Sequence, residues 1–351
     1  MTAIRRRKSR ACHPYTGFSL VELLVVFSIL SLLAGVLLPS LRGAREQAKI
    51  VACASNTAAI GRGAAAYSAE WNGWMCGSPG TSGSVMYRKP RPAPEDEEID
   101  TIPMQIWDWA APVAAHSWKN SMPTNRAERM KPLLEDMFRC PSNSFEADPY
   151  PRKMGKFDRQ RMVSYNTMRN FLSWTRTSVA RNSSKPWGEK APHHEASFDR
   201  IGGNTLPPKN YVPRMDRIER PAMKAYLADG NRYTDIGGEL TYDLEWDAIA
   251  GGAFANGGPT IRETNGKLVL SAYHYDKELG KYAYRHKSKG ERGIVVNYYD
   301  GHSAFMTETE SRHPDTWWPT GTIIPAEDFN DPSRAAIKDR INADGNYVVG
   351  R

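Results

Sequence analysis

From Phe18 to Leu38 the chain reads FSLVELLVVFSILSLLAGVLL, 21 residues with a single charge, Glu22. As a helix rising 1.5 Å per residue, this run spans about 30 Å, the hydrocarbon thickness of a bilayer. No other run among the 351 residues approaches this length and apolarity, so a polytopic membrane protein is excluded. Arg5, Arg6, Arg7, Lys8 and Arg10 lie just before it. Basic residues stay on the cytoplasmic side, so the sequence predicts the N-terminus inside and the bulk of the chain outside.

Those five residues also explain much of the net charge of +8, because residues 1–17 hold no Asp or Glu. Without them the excess is only +3, and the basic balance gives no argument for a nucleic-acid partner. Apolar residues make up 40% of the chain, an ordinary globular share that excludes general disorder. Four cysteines are too few for a disulfide-dense miniprotein.

Three kinds of N-terminus carry an apolar run of this sort. A secretory signal peptide has a shorter apolar core and a small-residue cleavage site after it, whereas Leu38-Pro39-Ser40-Leu41-Arg42 is a poor site. A plain signal anchor fits the length but gives no reason for a carboxylate four residues into the run. The third kind is cut before the run, between Gly17 and Phe18, and keeps the whole helix. The basic leader, Gly17, the aromatic Phe18, Glu22 at the fifth mature position and Pro39 at the end of the first apolar stretch resemble the prepilin motif. This is the motif of type IV pilins and type II secretion pseudopilins. The resemblance implies that a membrane prepilin peptidase cuts after Gly17 and methylates the new amine of Phe18.

Glu22 also stands on a physical argument. A carboxylate in hydrocarbon costs several kcal/mol unless paired, which makes an intramembrane acid a functional candidate. Its bland alternative is an acid near enough to the interface to be solvated. Its functional reading pairs it with the Phe18 amine of a neighbouring subunit, where a buried charge pair fixes register more than it adds stability.

The helix is predicted to continue past Pro39, which either kinks it or starts a new segment. Leu41, Ala44, Ala48, Val51, Ala52, Ser55, Ala59 and Tyr67 give a small-residue stripe near helical spacing. Residues 18–71 would form a rod of about 80 Å, half in the membrane and half under a globular head. Gly77–Asp100 and residues 181–210 read as long surface loops. Asp229-Gly230, Asn265-Gly266 and Asp300-Gly301, each between apolar or β-branched runs, are predicted type I′ hairpin turns. The fold class is therefore α+β, pilin-like: a long N-terminal helix packed against an antiparallel sheet head with long insertions. Its divisions are a leader (1–17), a transmembrane helix (18–38), the second half of the spine (39–75) and the head (76–351). Trp107, Trp109, Trp174, Trp246, Trp317 and Trp318 read as core or covering aromatics rather than a ligand platform.

Five segments, Val51–Met75, Met137–Asn143, Val163–Met168, Tyr226–Asn231 and His286–Met306, resemble in sequence and order prepilin-type proteins of planctomycete and verrucomicrobial lineages. Those proteins carry a His-spacer-Asp-Gly element, usually with nine residues between. Here thirteen separate His286 from Asp300.

Cys12 lies in the leader, while Cys53, Cys76 and Cys140 fall on the oxidising side of the membrane and allow three single bridges. Of these we favour Cys53–Cys140, which would tie spine to head. Relatives that bind calcium in a C-terminal loop suggest Asp229, Asn231 and Asp235 as an oxygen-rich calcium set, against the plainer reading as turn residues. His193-His194-Glu195 lacks the helical spacing of a zinc pair and reads as a solvated loop. His286, His302 and Asp300 resemble a catalytic set only when written together, and no nucleophile elbow or phosphate-binding loop is present, so no catalytic residue and no other cofactor are expected.

The sequence thus predicts a non-enzymatic pseudopilin or pilin-like subunit of a type II secretion or type IV pilus-like filament. Its expected partners are the prepilin peptidase, other pilin or pseudopilin subunits and an inner-membrane assembly platform. It is expected to be a single-pass inner-membrane protein with a periplasmic head. The alternative is an anchored module that binds a glycan or secreted cargo, with an anchored hydrolase behind it.

Overall fold

A computed structural model of the chain describes residues 19–76, 113–114, 116, 137–150, 160–161, 164–172, 208, 211–230, 233–236, 239–243, 258–260, 263–264, 267–268 and 283–350. The chain divides into two units, Met1–Arg45 and Glu46–Arg351. Helix α1 (Leu20–Glu70) belongs to both and keeps Pro39 inside it, so the helix does continue past the proline. Leu and Ala, strong helix formers, dominate its sequence.

In the first unit α1 opens with a reciprocal cap. The Ser19 hydroxyl accepts the Val21 N–H at 3.2 Å, and the Ser19 N–H donates to Glu22 Oε2 at 2.8 Å. That is a Ser-x-x-Glu arrangement satisfying backbone donors that a helix start leaves without partners. There Leu20, Val21, Leu23, Val25 and Val26 are all exposed, on every side of the helix. This is the one described helix long and apolar enough to cross a membrane.

The second unit follows in chain order with β1 (Glu146–Tyr150), β2 (Gln160–Arg161), β3 (Tyr165–Thr167), β4 (Ala225–Asp229), β5 (Tyr233–Ile236) and β6 (Glu239–Asp243). Then come β7 (Glu263–Thr264), β8 (Lys267–Leu268), β9 (His286–Ser288), β10 (Glu291–Tyr298), β11 (Ser303–Thr307) and the short helix α2 (Glu308–Ser311). Strands β12 (Ile323–Pro325) and β13 (Asn346–Val348) flank helix α3 (Asp331–Ile337). The main sheet has five strands, all antiparallel, in the order β11-β10-β4-β3, with β9 also on β10. A four-stranded sheet, β2-β1-β6-β5, contains one parallel pair, β1 with β6. The architecture is α+β, a long apolar N-terminal helix and an antiparallel sheet head.

All five residues of β4 are buried, as are Ile294 to Asn297 of β10. The face that α1 turns into the core is Ile50, Cys53, Thr57, Ile60, Gly61, Ala64 and Tyr67, at spacings of three and four. It is offset from the predicted stripe. Leu41, Ala44, Ala48, Val51 and Ser55 are exposed, and only Tyr67 of that set is fully buried. Ala and Ser tolerate either environment, so small residues alone placed the stripe wrongly. The larger Ile50 and Ile60 mark the buried face.

The three predicted turns have different outcomes. Thr264 pairs with Lys267 across the predicted turn, while Asn265 and Gly266 themselves lie outside the described residues. Asp300-Gly301 also joins paired strands, β10 and β11, but as a three-residue loop. The Gly301 N–H donates to the Tyr298 carbonyl at 2.8 Å, and only Gly301 takes a positive φ, +94°. That is a type I turn followed by a left-handed glycine, not type I′. Asp229-Gly230 is no hairpin: β4 pairs with β3 and β10, while β5 lies in the other sheet. Gly230 has no positive φ, and its N–H donates to the Ser164 carbonyl at 2.8 Å. A type I′ turn missed in the sequence is Lys289-Gly290, with φ of +50° and +89°, joining β9 to β10.

Trp317 and Trp318 are buried, in line with a core role; Trp107, Trp109, Trp174 and Trp246 lie outside the described residues. So do Gly77–Asp100 and, apart from Pro208, residues 181–210.

Candidate functional site

Among the described residues, two places carry chemistry. The first is the start of α1, where Glu22 sits in the first turn on the Ser19 N–H. Gly17 and Phe18 lie outside the described residues.

The second is a buried polar cluster inside the head, built from four segments. Cys53 comes from the buried face of α1. Cys140 opens a turn in which the Asn143 N–H donates to the Cys140 carbonyl at 2.9 Å, with Pro141 at the position where its fixed φ suits a β-turn. Asp229 ends β4, opposite Tyr165 of β3. Arg285 and His286 lead into β9, and His286 pairs with Gly293. Cys53, Cys140, Asp229 and His286 bring one donor atom each to within 4.8 Å of one another.

The two sulfurs are 2.6 Å apart. His286 Nε2 is 3.2 Å from Cys140 Sγ and 3.4 Å from Asp229 Oδ2, and the Tyr165 hydroxyl is 3.1 Å from Cys53 Sγ. On its other edge, His286 Nδ1 faces Ser142 Oγ at 3.3 Å and Glu46 Oε1 at 3.6 Å. Arg285, fully buried, donates to Asp229 Oδ1 at 2.6 Å and to the carbonyls of Gly230 and Ser164 at 2.7 Å each. The second Asp229 oxygen accepts the Val295 N–H at 2.6 Å.

Burial pushes the Cys53 thiol up, and its hydrogen bond to Cys140 adds to this. Burial pushes Cys140 the same way, but hydrogen bonds from Cys53 and His286 and the Arg285 charge reverse it, down to about 3. The two thiols are thus pushed in opposite directions, and Cys140 is the sulfur that faces the imidazole. Burial disfavours charged His286, yet the Cys140 hydrogen bond and the Asp229 charge outweigh it and raise its pKa. Asp229 is raised to about 6, by burial first and then by the Cys140 charge, against the pull of Arg285.

Four donors of these types can in principle hold a zinc ion. The arrangement fits one poorly. Two thiolates on one tetrahedral zinc, at about 2.3 Å each, stand about 3.8 Å apart, well beyond the observed separation. Both Asp229 oxygens are already engaged by Arg285 and Val295.

Of the residues singled out in the sequence, the structure brings Cys53 and Cys140 together. Asp229 joins them instead of a calcium loop; Asn231 lies outside the described residues, and of Asp235 only the backbone in β5 is described. His286 is separated in role from His302 and Asp300. The latter two pair with each other at the exposed β10–β11 turn, His302 Nδ1 to Asp300 Oδ1 at 2.6 Å, with His302 stacked on Tyr298. His193-His194-Glu195 lies outside the described residues. Sequence reasoning missed Arg285 and the grouping of Asp229 and His286 with the cysteines. Its only local trace is an apolar run, AYLA, ending in an acid that proves buried.

Set against known protein families, residues 13–38 match the prokaryotic N-terminal methylation motif. The chain has a prepilin-type N-terminus. The match covers the end of the basic leader, the Gly17–Phe18 junction, Glu22 and the apolar run to Leu38. It supports a prepilin-like or pseudopilin family, a membrane-anchored single-pass chain and a pilin-like structural role. No curated protein and no solved structure matches the chain.

Proposed function

We propose that this prepilin-like chain is cleaved between Gly17 and Phe18 and methylated at the Phe18 amine by a prepilin peptidase. It then serves as a structural subunit of a type II secretion or type IV pilus-like filament, on an inner-membrane assembly platform and with other pilin or pseudopilin subunits. The head stands on the periplasmic side, because the leader charges stay in the cytoplasm. The observation that carries the reading is the methylation motif joined to an apolar helix exposed all round. Such a surface needs lipid before assembly and neighbouring helices after it.

In the single chain, Glu22 caps its own helix through the Ser19 N–H. In a filament it pairs in addition with the Phe18 amine of the next subunit. Glu22→Gln separates these roles, because glutamine also completes a capping box but carries no charge. Crosslinking between subunits in membranes is the test. The expected result is normal insertion with crosslinking lost in Glu22→Gln and Glu22→Ala. Wild-type yields in both variants would overturn the assembly role and favour an anchored binding module.

A further inference from the structure

We propose that Cys53 and Cys140 become a disulfide that is closed only as the Cys140 turn docks on α1 and is then sealed from solvent. Cys53 sits on the buried face of α1 and Cys140 on the turn packed over it, both fully buried. At 2.6 Å their sulfurs are closer than non-bonded sulfurs rest and closer than two ligands of one zinc ion. The surroundings hold them there. Asn56 Nδ2 donates to the Arg139 carbonyl at 3.3 Å, joining the helix three residues past Cys53 to the residue just before Cys140. The Ser164 N–H fastens the Phe138 carbonyl at 2.8 Å, and Asn143 Nδ2 donates to Ser164 Oγ at 2.9 Å.

An external oxidant cannot reach either sulfur once the turn is seated, so the first exchange precedes docking. Cys53 attacks a disulfide of the glutathione or protein-oxidase class, forming a mixed disulfide and releasing one external thiol. Docking then brings Cys140 onto Cys53 Sγ. The Cys140 proton passes to His286 Nε2, the Cys140–Cys53 bond forms, and the bond to the external sulfur breaks. That sulfur leaves as a thiolate and takes a proton from water, and His286 later returns its own to solvent. The sum is two protein thiols oxidised and one external disulfide reduced to two thiols. Cys76 takes no part and keeps its thiol.

The test uses the full chain, purified from an oxidising compartment in detergent. Peptide mapping after denaturation and alkylation without reductant should show Cys76 alkylated and a Cys53–Cys140 linked peptide. Treating the folded protein with dithiothreitol before quenching should leave the linkage intact, whereas the same reductant with denaturant should open it, at least a hundredfold faster. Alkylation of both Cys53 and Cys140 without reduction, with or without a stoichiometric bound zinc ion measured by elemental analysis, would overturn the bridge. Reduction at equal rates with and without denaturant would overturn the sealing. Cys76→Ser should leave every one of these results unchanged.

Discussion

Asn297 of β10 occupies the space that a side chain at Gly61 of α1 would need. A methyl built on Gly61 overlaps Asn297 Oδ1 and lies 3.0 Å from its Cγ. Asn297 has little freedom to withdraw, because its Nδ2 lies within hydrogen-bonding distance of the carbonyls of Gly301 and His302 and of Ser303 Oγ, at 3.1, 3.1 and 3.0 Å. The same corner carries the Thr57 hydroxyl, 2.9 Å from Ser303 Oγ. Helix and sheet approach closely here because the helix offers no side chain.

Gly61→Ala should therefore destabilise the head by about 1–3 kcal/mol, the usual range for overpacking a filled core. Gly43→Ala is the control, since a methyl there meets nothing within 4 Å. In a helix interior that change alone favours the folded state by up to about 1 kcal/mol. Urea unfolding of the two variants in detergent, followed by tryptophan fluorescence, should shift the midpoint in opposite directions.

The C-terminal segment is fastened through Asp315, which predicts a pH dependence of known sign. Its carboxylate accepts from the Tyr347 hydroxyl and the Gly350 N–H at 2.7 Å each and from Arg340 at 3.0 Å. Burial alone would raise its pKa, but these three hydrogen bonds outweigh it and hold the carboxyl below its ordinary value. A carboxyl with a lowered folded pKa contributes stability that is present above its unfolded value, about 4, and lost as pH falls below it. His313, 3.9 Å away, has a lowered pKa, chiefly through burial, with the Asp315 charge opposing that shift. Asp315→Asn should cost about 1–3 kcal/mol at pH 7 and flatten the fall in thermal midpoint below pH 4. An undiminished fall in the variant would place the acid sensitivity elsewhere.

His286 bears on how easily the cysteine bridge is reduced. An imidazole with a raised pKa 3.2 Å from Cys140 Sγ favours the thiolate, hence the reduced state, and makes the disulfide more oxidising. His286→Gln replaces a charge-assisted hydrogen bond with a neutral one about half as strong. Equilibration with glutathione buffers in mild denaturant should then show the disulfide favoured about tenfold more than in the wild type. A shift toward the thiols would mean that the imidazole stabilises the bridge.

The readable parts of the chain were those governed by local rules. The apolar run of α1 follows from solvation alone, and the pairing of Thr264 with Lys267 from the turn chemistry between them. What escaped depends on distant segments. Asp229-Gly230 has hairpin chemistry, yet Asp229 is drawn into the core by Arg285, and the chain passes to another sheet instead of turning back. The cysteine cluster joins residues 53, 140, 229 and 286, and no periodicity links such separations. The buried stripe of α1 was misplaced because alanine and serine carry little information about which face is covered.

The central claim is that this chain is a processed, methylated subunit anchored by an uncut apolar helix. Intact mass and N-terminal peptide analysis of the protein after co-expression with a prepilin peptidase test it most directly. The account predicts loss of residues 1–17 and a mature chain starting at Phe18 with a single methyl on its amine. A mature start near residue 40, with the apolar run removed, would contradict it.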